Sequence, residues 1–158
     1  MKAGSKRLAI SLTVFTVIGI FSFAPCLHAQ NDQAVAQGRK AIVEGTKQMV
    51  NGSKKIMTVL EKKGLADANV KALDKQMQEG YDLVTKGDDM MAGGSMEQGR
   101  DMMRRGAHMI LKANTGVEAV VEKNGIAKEC MIPLLACRNA AEKIRHGALQ
   151  WYFGTTAI

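Results

Sequence analysis

Glycine and large apolar residues alternate along this chain at spacings of four and three residues. Over residues 38–56 the alternating positions are Gly38, Ile42, Gly45, Met49, Gly52 and Ile56. This is a heptad seam with glycine at each a position and a bulky residue at each d position. Glycine inside a helix costs roughly 1 kcal/mol relative to alanine. Glycines at this regular spacing therefore predict that two helix backbones approach each other closely.

The pattern recurs in two later segments, so more than one helix pair is predicted to pack in this way. Residues 70–91 repeat it around two glycines, and residues 99–120 repeat it around two more. The glycines assigned to helix packing are Gly38, Gly45, Gly52, Gly80, Gly87, Gly99 and Gly106.

Local signals predict where the first two helices begin and end. Helix 1 covers residues 32–63, because Gly64 followed by Leu65 is typical of a Schellman ending. Asp67 or Asn69 then caps helix 2, which ends near Ala92 before a glycine pair.

The second half of the chain carries two further helices. Ser95 and Gln98 have the spacing of a capping box, which opens helix 3, and this helix runs to about residue 123. A second capping box at Thr115 and Glu118 is the alternative, and it would split helix 3 in two. Pro133 suits the first turn of helix 4, and residues 154–158 are predicted to be unstructured.

An internal repeat connects the two halves. Residues 59–66 (VLEKKGLA) match residues 120–127 (VVEKNGIA). Upstream, Gly45 and Gly52 match Gly99 and Gly106 if one extra heptad is allowed in the second copy. The chain is therefore interpreted as a duplicated helical hairpin.

Short loops predict that consecutive helices pair as antiparallel neighbours. Folding each helix back about its own turn sets every seam glycine against a large residue. The predicted pairs are Gly45 with Val84, Gly52 with Met77, Gly99 with Met91, Gly87 with Met103, Gly106 with Ile144, and Gly99 with Trp151. We predict an all-α fold, an up-down-up-down four-helix bundle with glycine/large heptad seams. A long two-hairpin coil that dimerises is the alternative.

The first 29 residues have the pattern of a secretory signal peptide. A basic start is followed by an uncharged stretch and by a cleavage site before Gln30. This divides the chain into a signal (1–29), a helical bundle domain (30–153) and a tail (154–158). Two alternatives keep the protein at a membrane. In the first, Cys26 is lipidated. In the second, the uncharged stretch is retained as an anchor, since its length of about 17 residues is near the short limit for a spanning helix.

The charge pattern argues against nucleic-acid binding. Removing residues 1–29 takes away three of the 22 basic residues and none of the 15 acidic ones, so the remainder is only mildly basic. The basic residues are spread along all the helices and are not interleaved with aromatic residues.

The 11 methionines raise the question of copper. Thioethers suit Cu(I), and Met91, Met96 and Met103 are the candidate ligands if they converge across the turn between helices 2 and 3. However, Met96 and Met103 are seven residues apart, which is about 10.5 Å along a helix. Filling of the core is the preferred interpretation, with Cu(I) binding and a flexible partner-binding face as the two alternatives.

Cys130 and Cys137 are the two cysteines left after export, an even count in an oxidising compartment. If Cys130 precedes helix 4, a loop around Pro133 lets the two sulfurs meet, and an intrachain disulfide is predicted. Free buried thiols and an intermolecular bond are the alternatives.

No set of residues indicates catalysis or a cofactor. His146 lies two residues from both Ile144 and Ala148, which the heptad spacing of helix 4 places in the core, so it is expected to point outward and not to bind haem. We therefore predict an exported, non-enzymatic, periplasmic or secreted protein that acts by self-association or through an unknown protein partner. A soft-metal-handling protein is the alternative.

The exported form is expected to begin at or near Gln30. Intact-mass measurement of protein recovered from the exported fraction tests this expectation. An acylated Cys26, or retention of residues 1–29, would contradict it.

Overall fold

The computed structural model describes the backbone of residues 24–156 and the side chains of residues 32–152. All regular secondary structure in that part of the chain is α-helical, as predicted. The helices are α1 (Ala24–Lys62), α2 (Ala68–Ala92), α3 (Met96–Lys123) and α4 (Met131–Thr156). Residues 1–23 of the predicted signal peptide and the side chain of Cys26 lie outside the described residues, whereas residues 24–29 belong to α1.

Three helices end in the same way. The amide of Leu65 donates to the carbonyl of Leu60 at 2.8 Å, and the amide of Ile126 donates to that of Val121 at 3.2 Å. The preceding residues, Gly64 and Gly125, have φ of 69° and 66°, as the left-handed position of a Schellman motif requires. The ending of α2 repeats this geometry at Gly94, whose φ is 93°.

The helix starts agree only in part with the sequence interpretation. Asp67 caps α2 by accepting a hydrogen bond from the amide of Val70 at 2.8 Å. Ser95 precedes α3 but its side chain makes no capping hydrogen bond, so the predicted capping box is not formed. The helix is not split, because the hydroxyl of Thr115 donates to the carbonyl of Leu111 within a continuous α3. At the other end of the chain, α4 continues through residues 154–156, which were predicted to be unstructured.

The seam of α1 faces α4, and this corrects the predicted pairing of Gly45 with Val84 and of Gly52 with Met77. A Cβ placed on Gly45 would lie 2.7 Å from the side chain of Ile144, and one on Gly52 would lie 2.6 Å from the sulfur of Cys137. Residue numbers rise along α1 as they fall along α4, so the two helices are antiparallel.

The physical reason is that α4 offers small residues where α1 needs them. A Cβ on Gly38 would lie 2.5 Å from the carbonyl oxygen of Gly147, and a Cβ on Gly147 would lie 2.7 Å from that of Gly38. A Cβ on Gly45 would lie 3.1 Å from the carbonyl oxygen of Ala140, and a Cβ on Gly52 would lie 3.3 Å from that of Pro133. The distance from the α1 glycine to the nearest carbonyl oxygen of α4 therefore increases from Gly38 to Gly52, as the residue that carries the carbonyl changes from glycine to alanine and proline.

The seam of α2 faces α3 in the predicted register. A Cβ on Gly87 would lie 2.6 Å from the carbonyl oxygen of Gly99 and 2.8 Å from the amide nitrogen of Met103. A Cβ on Gly99 would overlap the side chain of Met91. Because Gly99 and Gly106 face α2, they do not pack against Trp151 and Ile144 as predicted for helices 3 and 4. The glycine hydrogens point at facing carbonyls, a geometry that favours weak Cα–H···O contacts.

Buried apolar residues from all four helices form one core cluster. Ion pairs join the helices at its edge. Arg39 of α1 pairs with Asp88 of α2, and Lys143 of α4 pairs with Glu44 of α1 at 2.7 Å. These pairs are partly exposed, so each contributes about 0–1 kcal/mol. The core and the glycine contacts hold the helices together.

Alanine substitutions at Gly87 and Gly116 should differ although both sites lie inside helices. At Gly87 the new methyl group meets backbone atoms of α3, so we expect a loss of about 1–3 kcal/mol in the free energy of unfolding. At Gly116 it meets the methyl groups of Leu73, which can move, so the change should be near neutral or gain up to about 1 kcal/mol. Urea unfolding measures both. Equal effects at the two sites would contradict the close approach of α2 and α3.

Candidate functional site

The candidate copper ligands are divided between the core and the surface. Met103 is fully buried and Met91 nearly so, and both pack over glycines of the facing helix. Met96 is 52% exposed at the start of α3. His108 and His146 are exposed, and the outward position of His146 was predicted. Within residues 32–152, no group of three or more histidine, cysteine or acidic side chains is arranged to hold a metal ion.

The predicted disulfide between Cys130 and Cys137 is wrong, since both are free, buried thiols. The amide of Leu134 donates to the carbonyl of Cys130 at 2.9 Å, so helical geometry already includes Cys130. Seven residues of helix separate Cα atoms by about 10.5 Å, which exceeds the ~7 Å limit for a disulfide. Burial raises the pKa of the Cys137 thiol to about 11, and the thiol points at the carbonyl of Met49 at 3.7 Å.

A concave site with a volume of about 690 Å³ lies in a cleft between α3 and α4. In contrast to the close pairs α1–α4 and α2–α3, α3 and α4 touch only sparsely. The apolar part of the lining comes from three helices and consists of Ile42, Ala107, Leu111, Ile144, Ala148 and Trp151. A volume between 300 and 1,000 Å³ with a mainly apolar lining is typical of sites for small ligands.

Charged side chains line the same cleft. α3 contributes two guanidinium groups, Arg100 and Arg104, and two carboxylates, Glu97 and Asp101, and α4 contributes Arg145. Asp101 accepts from Arg104 at 2.7 Å and from Arg105, and these guanidinium groups hold the pKa of Asp101 below its usual value. Arg100 forms no ion pair with any of the described residues.

A smaller polar cavity of about 280 Å³ continues between α3 and α4 beyond Leu111 and Arg145, which line both cavities. Asn114 lies in its wall and is only 5% exposed. Its amide nitrogen donates to Glu118 at 2.9 Å, whereas its carbonyl oxygen has no hydrogen-bond partner. An unpaired buried acceptor costs about 1–3 kcal/mol, so this oxygen lowers the stability of the fold.

A second surface feature is an apolar patch on the outer side of α4, formed by Met131, Ile132 and Leu135. These side chains are 66%, 78% and 59% exposed. They are adjacent on the first turns of the helix, and Lys128 and Arg138 beside them are also exposed. We refer to these three residues as the α4 patch.

Sequence reasoning missed the role of Gly147 and the exposure of Ala148. The heptad assignment placed Ala148 in the core, but Gly147 is the buried residue and Ala148 lines the cleft. Both positions fit a spacing of three and four residues between Ile144 and Trp151. The presence of glycine, the residue used at the other seams, was the signal that favoured position 147.

Comparison with protein-family models, with curated proteins and with solved structures finds no match to this chain. Among the described helices, none combines the length and the apolar character needed to cross a membrane.

Core packing and copper binding predict different results for one variant. Replacing Met77, Met91 and Met103 by leucine conserves volume, so we expect a change of at most about 1.5 kcal/mol per site in the free energy of unfolding. We also expect Cu(I) binding, measured by competition with a chelator, to stay negligible. Met131→Leu, on the exposed α4 patch, is the control. A stoichiometric Cu(I) complex of the original protein that disappears in the triple variant would establish the copper alternative.

Proposed function

We propose that this chain is an exported, non-enzymatic helical bundle that acts through structural or protein–protein contacts in the periplasm or extracellular space. The observation that carries the proposal is the α4 patch. Large apolar side chains that are this exposed and adjacent are typical of interaction surfaces. The occupant is a second copy of the chain or another exported protein.

The charged groups support a binding role over a catalytic one. Perturbed pKa values are a mark of active sites, but structural ion pairs perturb them too. Glu44 and Glu129 have lowered pKa values, and each carboxylate is explained by one lysine, Lys143 and Lys63 respectively. The first pair joins α1 to α4, the second joins the turn after α1 to the turn before α4, and neither lies in the cleft between α3 and α4. Asp101 does line the cleft, and its lowered pKa is explained by its hydrogen bonds with Arg104 and Arg105.

We further infer that the bundle runs up-down-up-down and is a duplicated helical hairpin. Equivalent glycines support the inference, since Gly38 and Gly45 contact α4 as Gly99 and Gly106 contact α2. The two pairs are separated by the same number of residues as Gly64 and Gly125, so the extra heptad of the sequence interpretation is not needed.

The second helices of the two hairpins, α2 and α4, correspond equally well to each other. The residues that face the glycines of α3 are Gly87 and Met91, and those that face the glycines of α1 are Gly147 and Trp151. Among the side chains of residues 32–152, the two unpaired buried polar groups outside α2 also correspond, since Ser53 of α1 matches Asn114 of α3. Lys63 pairs with Glu129 at 2.9 Å, which holds the two equivalent ends of the bundle together.

A double lysine substitution on the α4 patch tests the proposed function. Ile132→Lys with Leu135→Lys places charge on the surface without disturbing the core, so folding should persist while association is lost. Sedimentation measures self-association, and crosslinking in the exported compartment measures contact with other proteins. Ala72→Lys with Ala119→Lys adds the same charge at exposed sites elsewhere and is the control.

The proposal requires that the original protein and the control associate equally and that the α4 variant does not. An original protein that is monomeric and forms no crosslinks, or an α4 variant that associates as well as the control, would contradict it.

A further inference from the structure

The α3–α4 cleft can be compared with the equivalent region between α1 and α2 of the same molecule. Under the correspondence described above, Arg100 of α3 is equivalent to Arg39 of α1, and Ala148 of α4 is equivalent to Asp88 of α2. Arg39 forms two contacts with Asp88, an ion pair with its carboxylate and a hydrogen bond of 2.9 Å to its backbone carbonyl. In the second hairpin the arginine recurs, but the residue opposite it carries only a methyl group.

The consequence is a guanidinium group at a cleft without the carboxylate that its counterpart binds. Arg100 and Ala148 both line the cleft, and no described carboxylate pairs with Arg100. Arg104 lies four residues further along and one turn away on the same helix face. An anionic group between Arg100 and Ala148 would occupy the place that the Asp88 carboxylate has in the first hairpin.

The remainder of the cleft is suited to an apolar body. Ile42, Ile144 and Trp151 are buried beneath it, and Ala107 and Leu111 lie along α3. A single helical turn of a partner, about 10 Å wide and 5.4 Å long, already occupies roughly 420 Å³. A cleft of about 690 Å³ therefore encloses a small molecule more completely than a docked helix.

We propose that the α3–α4 cleft binds a small amphipathic carboxylate, with its carboxylate on Arg100 and its apolar chain over Ile42, Ile144 and Trp151. The site is distinct from the α4 patch, so it does not depend on the proposed protein–protein function. Guanidinium groups bind carboxylates in a two-pronged geometry, and the apolar lining supplies the affinity for the chain.

Three ten-carbon probes that differ only in the head group test this site. Decanoate, 1-decanol and decylamine are titrated below their aggregation concentrations into the purified protein. Calorimetry gives the affinity, and Trp151, the only tryptophan of the chain, reports binding by its fluorescence. We expect one decanoate per chain and an affinity at least tenfold above those of the alcohol and the amine. Equal affinities for the three probes, or no saturable binding of decanoate, would overturn the proposal.

Two substitutions test the assigned contact. Ala148→Asp restores the carboxylate of the first hairpin, so it should pair with Arg100 and lower decanoate affinity at least tenfold. Arg100→Gln should lower decanoate affinity similarly and leave that for 1-decanol unchanged. The controls are Ala136→Asp and Lys112→Gln, which are exposed on the same two helices and do not line the cleft.

Both test sites are exposed, so the variants are expected to fold, and circular dichroism checks this. Decanoate affinity that is unchanged in Arg100→Gln, or lowered equally in the controls, would overturn the assignment of Arg100.

Discussion

Close contact between helix backbones is the constraint on which the other features of this bundle depend. At Gly38, Gly87 and Gly99, a facing carbonyl oxygen occupies the space that any other residue would need for its Cβ. Each contact therefore requires glycine, or a comparably small residue, on both helices. This two-sided requirement is met in the pairs α1–α4 and α2–α3, where Gly38 faces Gly147 and Gly87 faces Gly99.

The remaining interface follows from that selection. The small residues of α3 and α4 are used against α2 and α1, so the sides that α3 and α4 present to each other carry arginine, leucine and aromatic side chains. These cannot interlock at the distance of a glycine seam, and a cleft remains between the helices. The cleft is thus a by-product of the close glycine contacts. The difference between Asp88 of α2 and Ala148 of α4 then gives the α1–α2 and α3–α4 interfaces different chemistry.

The buried methionines of α2 and α3 fill the space that the seam glycines leave between the two helices. Met91 and Met103 lie over Gly99 and Gly87, where one helix has no side chain and the other must fill the space. An unbranched thioether can follow the surface of a bare backbone. The positions of Met91 and Met103 are therefore explained by the glycine spacing.

Local signals in the sequence were sufficient for the all-α class, for the ends of α1 and α3 at Gly64 and Gly125, and for the register of α2 on α3. These depend on residues that are close along the chain or joined by a turn of fixed length.

The partner of α1 was not predictable in this way. The glycine seam of α1 packs on α4 and not on α2, and this depends on Gly147 and Ala140, which are distant along the chain and come to lie opposite the α1 glycines only in the folded structure. The free state of Cys130 and Cys137 was also decided by tertiary structure, since it depends on where α4 begins. The lack of an ion pair between Arg100 and any described carboxylate of a facing helix was decided in the same way, because the packing of helices fixes what faces each side chain. The sequence alone determined that glycine seams would exist, whereas only the packed structure decided which helices they join and where a cleft is left open.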